Sequence, residues 1–180
     1  MPGGGLGARL EVWAAEARID EAAAGRRRAR WMSEASDDEA HLGGLLFDLG
    51  ERRAVAVVRL QGGRSTAGCI EVVGADFAAL RTVQGIVLIP HWAITLLRPA
   101  PAEDGVIGDR PLTTDVRLIE VLRELAADRE VVRVGISDGG EAVAGVLRRV
   151  GVDVLVIRVD GDPPATVHVP VAAVAEVALG

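Results

Sequence analysis

Apolar positions in this chain recur with two different periods, and the change from one to the other marks its elements. From Arg9 to about Met32 the composition is Ala-, Glu- and Arg-rich without proline, which favours helix. Leu10, Trp13, Ala14, Ala17, Ala24 and Trp31 form a narrow apolar stripe there, interrupted by Arg27 and Arg28. "SEASDD" breaks the pattern, and Ser36 or Asp37 is placed to cap a second helix with Leu42, Leu45, Leu46 and Leu49 on one face, ending near Gly50. The period then shortens to that of strands. "RAVAVVRL", "STAGCIEVV", "DFAALRTV", "IVLIP" and "ITLLRP" predict five short strands, with turns at Gln61-Gly62-Gly63-Arg64, Gly74-Ala75 and Gln84-Gly85. "HWA" is long enough only for a single helical turn between the last two.

After "PAPAEDGVIGDRPL", a linker by composition, the pattern restarts. Thr113 or Thr114 is placed to cap a helix with Leu118, Val121, Leu122 and Leu125 as its stripe. "EVVRVGI", "AVAGVLRRV", "DVLVIRV", "TVHVP" and "VAEVAL" predict five more strands. The two halves share a glycine skeleton. "GGRSTAGCIEVVGADF" and "GGEAVAGVLRRVGVDV", 77 residues apart, are identical at seven of sixteen positions. These are the paired glycines Gly62-Gly63 and Gly139-Gly140, Ala67/Ala144, Gly68/Gly145, Val73/Val150, Gly74/Gly151 and Asp76/Asp153. Pro90 and Pro170 correspond at an offset of 80, with the longer turn "DGDPPA" accommodating the difference.

Gly62-Gly63 and Gly139-Gly140 are expected to supply the positive φ angles of tight hairpins. Gly68 and Gly145, inside strands, are expected at corners where backbones approach closely. A strand–loop–helix–strand phosphate-binding unit is the rival reading of "VVRVGISDGGEAVAGVLRRVGVDVLVI". Two features oppose it: the aligned "STAGCIEVV" is β-branched, and the loop lacks the glycine spacing of a P-loop or dinucleotide fingerprint.

The predicted fold is therefore α+β and mainly β: an N-terminal tail and helical arm over 1–38, a first small barrel with its helix over 39–98, a linker over 99–112 and a second barrel with its helix over 113–180. Helix, five strands and the ending "IPHWAI" or "VPVAAV" resemble the Sm-like and SH3-like small-barrel folds. Over residues 9–180 the chain is similar to tandem small-barrel proteins from GC-rich, actinobacterial genomes. That resemblance implies a fold and brings no activity with it. Sm proteins hold RNA with an Asp-x-hydrophobic-Asn loop and an Arg-Gly loop. Here Asp76 and Asp153 match the first, but "ADFAAL" and "VDVLVI" have no Asn, and "VQGIVL" and "GDPPATV" have no Arg-Gly pair.

Composition changes this picture little. Half of the 180 residues are apolar, and aromatics are scarce, so the core must be Val, Leu, Ile and Ala. All 20 basic residues are Arg, and Asn and Tyr are also absent, a bias that GC-rich coding explains. Cys69 is the only cysteine, and it aligns with Val146, which suggests a small buried residue rather than a nucleophile. No apolar run is long enough to span a membrane and no leader pattern opens the chain, so a soluble, cytoplasmic protein is expected.

Charge is more informative. The net charge of −6 argues against a general nucleic-acid binder. It is unevenly spread: residues 51–100 carry 6 Arg against 3 acids, and residues 101–180 carry 8 Arg against 14 acids. The halves are therefore expected to attract one another. Arg26, Arg27, Arg28 and Arg30, extended by Arg52, Arg53 and Arg64, are the candidate nucleic-acid contacts. Trp13 and Trp31, five helical turns apart, together with His91 and Trp92, are the candidate partner surface. The three histidines lack metal-site spacing, and Ser137 with His168 lacks a strand-to-helix elbow. The sequence thus points to a non-catalytic module without cofactor, metal or small-molecule substrate. Its partner is another protein or a second copy, and a nucleic-acid-binding regulator is the alternative.

Overall fold

A computed structural model describes residues 40–100 and 115–179. The segment expected as a helical arm, with Trp13, Trp31 and Arg26–Arg30, and most of the expected linker lie outside them. The described residues belong to one compact unit.

The first half runs α1 (Leu42–Glu51), β1 (Val55–Leu60), β2 (Ser65–Val73), β3 (Phe77–Thr82), β4 (Gly85–Pro90), a single 3₁₀ turn (His91–Ala93) and β5 (Ile94–Pro99). The second repeats it: α2 (Leu118–Ala127), β6 (Val131–Ile136), β7 (Val143–Val150), β8 (Val154–Val159), β9 (Ala165–Pro170), a 3₁₀ turn (Val171–Ala173) and β10 (Val174–Leu179). All ten predicted strands are present, and the segment 143–150 is strand, not helix. The helix starts differ from expectation. His41 and Arg117 are the N-caps, in place of Ser36 or Asp37 and of Thr113 or Thr114.

The repetition extends to individual bonds. Just past the C-cap of each helix stands an arginine with positive φ, Arg53 at 51° and Arg129 at 56°. Gln61 N–H donates to the Ala93 carbonyl as Ser137 N–H does to that of Ala173. His91 N–H donates to Asp76 as Val171 N–H does to Asp153. The ladder slips at matching places, Ile70/Val72 between β2 and β3 and Leu147/Arg149 between β7 and β8. An extra residue at these bulges increases the local bend.

Two separate barrels do not emerge from the strand pairing. The strands form one open antiparallel sheet in the order β5-β1-β2-β3-β4-β10-β6-β7-β8-β9. Its midline is the pairing of β4 with β10, Val177 opposite Leu88 and Ala178 opposite Val87. The reason is burial. β3 and β10 each bury four consecutive residues, and β4 buries Val87 to Pro90, so these strands are covered on both faces. Central strands of that kind need a neighbour on each side, because buried backbone N–H and C=O groups must be paired.

Two cores lie along the sheet. Leu46 and Leu49 of α1 pack with Val58, Leu60, Ile70, Leu80 and Ile89. Leu118 and Leu122 of α2 pack with Val134, Leu147, Leu155, Ile157 and Val177. The cores exchange residues across the midline: Phe77, Ala79 and Leu88 belong to the second, and Ala175 to the first. Among the described residues, no helix is long and apolar enough to cross a membrane.

Candidate interaction surface

The repeated glycines meet where the halves join. Gly62 and Gly63 both have φ of 81° and Gly139 has φ of 80°, as tight hairpins require. Gly140 does not share this geometry. Its N–H donates to Asp138 Oδ1 at 2.7 Å, so a side-chain bond rather than a second positive φ shapes that turn. The two hairpins touch: a Cβ on Gly62 would lie 2.7 Å from the Gly139 nitrogen. Gly74 and Gly151 begin equivalent turns, each donating its N–H three residues on, to Phe77 and to Val154. Pro90 and Pro170 end β4 and β9 and lead into the 3₁₀ turns.

Arg64 follows the first hairpin and forms an ion pair with Glu176 of β10 at 2.5 Å. The Glu176 side chain is only 8% exposed, and that of Arg64 is 37% exposed. Gly135 makes room for them, since a Cβ there would lie 2.9 Å from Glu176 Cγ and 3.1 Å from Arg64 Nη1. A base of the first half and an acid of the second thus meet across the midline. Beside it lies a cavity of about 340 Å³ that Arg64, Thr82, Gln84, Arg133 and Glu176 help to line.

A second polar contact joins the halves. Asp76 Oδ1 accepts the Leu118 N–H at 2.7 Å, and Ala75 N–H donates to the Val116 carbonyl at 2.8 Å. A carboxylate at a helix N-terminus satisfies an otherwise orphaned donor and complements the helix dipole. Arg117 N–H donates to Glu120 at 2.8 Å, completing that end of α2.

Of the candidate nucleic-acid residues, Arg52, Arg53 and Arg64 are among the described ones, and they occupy two different places. Arg64 is engaged by Glu176 and lines the midline cavity. Arg52 and Arg53 follow the C-terminal end of α1, where Arg53 lines a different cavity with Gly50, Cys69, Glu71 and Arg81. Arg81 is held there by both carboxylate oxygens of Glu71. Cys69 is half-buried on this rim rather than fully enclosed.

His91 and Trp92 occupy the first 3₁₀ turn. His91 Nε2 is buried without a hydrogen-bond partner. Burial pushes the His91 pKa below its ordinary 6.5, against the opposing charge of Asp76 and a bond to the Phe77 backbone. The folded protein therefore resists protonation that the unfolded chain accepts. Stability should be full above about pH 6.5 and fall as pH drops below it. Urea unfolding at about pH 7.5 and about pH 5.5 checks this. His91→Val, which installs the counterpart Val171, should lose less stability on acidification than the wild type.

Trp92 is 38% exposed, and its carbonyl accepts from Gln61 Nε2 at 2.7 Å. With Val152, Asp153, Val171 and Ala172 it lines an apolar groove of about 320 Å³. Val152, at 88% exposure, is among the most exposed large apolar side chains. The sequence pointed to Trp92, but not to Val152 beside it or to Asp76 and Glu176 as the groups that join the halves. A lone acid within "VAEVAL", where the first half has Leu96, is the signal that could have found Glu176. Among the described residues there is no cluster of His, Cys, Asp or Glu suited to a metal ion. No family model, curated protein or solved structure matches the chain.

Proposed function

We propose that this protein is a non-catalytic interaction module built from two strongly curved, Sm-like five-strand units, which engages a polypeptide partner through the ends of its sheet. One observation carries the reading: among the described residues, β5 and β9 each have one strand neighbour, whereas their internal counterparts β10 and β4 have two. An unpaired edge offers backbone donors and acceptors to an added strand. Exposed apolar side chains are available as well, on β5 and on the turns. Leu96 of β5 is 43% exposed, and the Trp92–Val152 groove is apolar. Arg64, Arg81 and Asp76 are occupied in holding the structure together, which supports a structural use of the charged groups.

The alternative is a nucleic-acid-binding regulator using Arg26–Arg30 with Arg52 and Arg53. Fluorescence anisotropy with labelled single-stranded RNA and duplex DNA at physiological salt separates the two. The interaction-module reading predicts no complex tighter than micromolar. A sub-micromolar complex that weakens steeply with salt, and loses that salt dependence when Arg26, Arg27, Arg28 and Arg30 become Gln, would establish the regulator instead.

A further inference from the structure

We propose that the cavity at the midline of the sheet binds a small hydroxylated molecule carrying one phosphate or carboxylate group, which Arg133 receives. Both halves build this cavity of about 340 Å³: Arg64, Ser65, Thr66 and Gln84 from the first, Arg133 and Glu176 from the second. The volume lies at the lower end of the roughly 300–1,000 Å³ usual for small-molecule sites. None of its lining residues belongs to β5 or β9, so the site goes beyond the interaction-module reading and does not depend on it.

Small residues create the space. Arg133 and Gly135 lie two apart on β6, so they share a face, and they stand opposite Ala178 and Glu176 of β10. At the level of Gly135 the missing side chain admits the Arg64–Glu176 ion pair. At the next level Arg133 is paired across the ladder with Ala178, whose single methyl group cannot fill the cavity. The two arginines therefore differ in use. Arg64 is held by Glu176, whereas the Arg133 guanidinium has no partner among the described residues. Two bases against one acid leave the cavity net positive. A free guanidinium offers paired N–H groups that match two oxygens of a carboxylate or phosphate. One such cation takes one such group. Ser65, Thr66 and Gln84 add donors and acceptors for the hydroxyls of the remaining ligand. The turn that carries Gln84 is fixed by the Thr82 hydroxyl, which accepts the Gln84 N–H at 3.1 Å and donates to the Gly85 carbonyl at 2.9 Å.

This polarity is not inherited from the repeat. Arg64, Ser65 and Thr66 correspond to Glu141, Ala142 and Val143, and Glu176 corresponds to Leu96. Arg133 corresponds to Val57, since Val57 pairs with Ala67 as Arg133 pairs with Ala144. Each of these polar groups thus replaces an apolar or oppositely charged one, and they gather where the halves meet. Folding does not require them, because the counterpart strands form with Val57 and Val143 in their place. A polar ligand does require them.

Isothermal titration calorimetry and thermal unfolding of the full chain test the site, at constant ionic strength in a buffer free of phosphate and carboxylate. The compounds are ribose 5-phosphate, gluconate and, as the neutral comparison, ribose. Ribose 5-phosphate or gluconate should bind with a Kd of about 1 mM or below, and whichever binds identifies the charged group. At about tenfold excess over that Kd the melting temperature should rise by about 4 °C, because a ligand held by both halves stabilises only the folded sheet. Arg133 is an exposed position of β6. Arg133→Gln should therefore leave the unliganded melting temperature within about 2 °C of the wild type, while weakening binding about tenfold. Arg133→Lys, which keeps the charge but loses the planar fork, should recover part of that loss. The inference is overturned if neither anion binds at about 20 mM, if ribose binds as tightly as its phosphate, or if Arg133→Gln binds like the wild type. Each of those results leaves the interaction-module reading standing, since that falls only to a tight nucleic-acid complex.

Discussion

Gly145→Val should strongly destabilise the second half of the sheet, and Gly68→Val the first. Both glycines lie inside strands, where valine would ordinarily be favoured, so propensity alone predicts a gain. Steric contact decides otherwise. A Cβ on Gly145 would lie 2.2 Å from the Arg158 carbonyl oxygen, and one on Gly68 would lie 2.5 Å from that of Arg81. Those oxygens belong to β8 and β3, the strands paired with β7 and β2, so they can retreat only by opening the ladder beside the bulge. Valine adds two further carbons in the same space. A loss of roughly 4 kcal/mol is expected, within the range reserved for severe core overpacking and a large share of a typical stability of about 5–15 kcal/mol. Gly63→Ala is the control. Its φ of 81° disfavours a side chain, but nothing lies within 4 Å of the added carbon. Its cost should stay near 1 kcal/mol. Urea unfolding measures all three, and a Gly145→Val protein with wild-type stability would refute the close-approach role.

How much of this could be read from residues alone follows from the range of the forces involved. Strands and hairpins are set by local alternation and by Gly62, Gly63 and Gly139, and these were visible. So were the helix faces, since Leu46 and Leu49, like Leu118 and Leu122, repeat at helical spacing within a few residues. Helix starts were not. Ser36, Asp37, Thr113 and Thr114 are good local caps, but α2 is met by Asp76, 42 residues earlier in the chain, and no local signal reports that contact. The midline of the sheet was likewise hidden. Each half reads as self-sufficient, with glycines that allow sharp bends, and only the burial of β3, β4 and β10 on both faces shows that each half completes the other. The charge difference between the halves was legible as a sum. That Arg64 and Glu176 meet depends on Gly135 leaving space for them, which only the three-dimensional packing displays.

Arg64→Ala should be the most damaging change at the midline. It strips a nearly buried carboxylate of its partner, and an uncompensated buried charge costs several kcal/mol. Because the Arg64 side chain is 37% exposed, water reaches the site and moderates the loss to about 2 kcal/mol. Glu176→Leu, which installs the residue type of the counterpart Leu96, removes the stranded charge and should restore most of the stability in the Arg64→Ala background. Four proteins therefore form a cycle: wild type, each single variant and the double variant. If the halves are held as one continuous sheet with this pair closing its midline, the cycle gives a coupling of about 1–2 kcal/mol between two residues 112 positions apart. A coupling indistinguishable from zero, with Arg64→Ala as stable as the wild type, would mean that the two halves do not meet there.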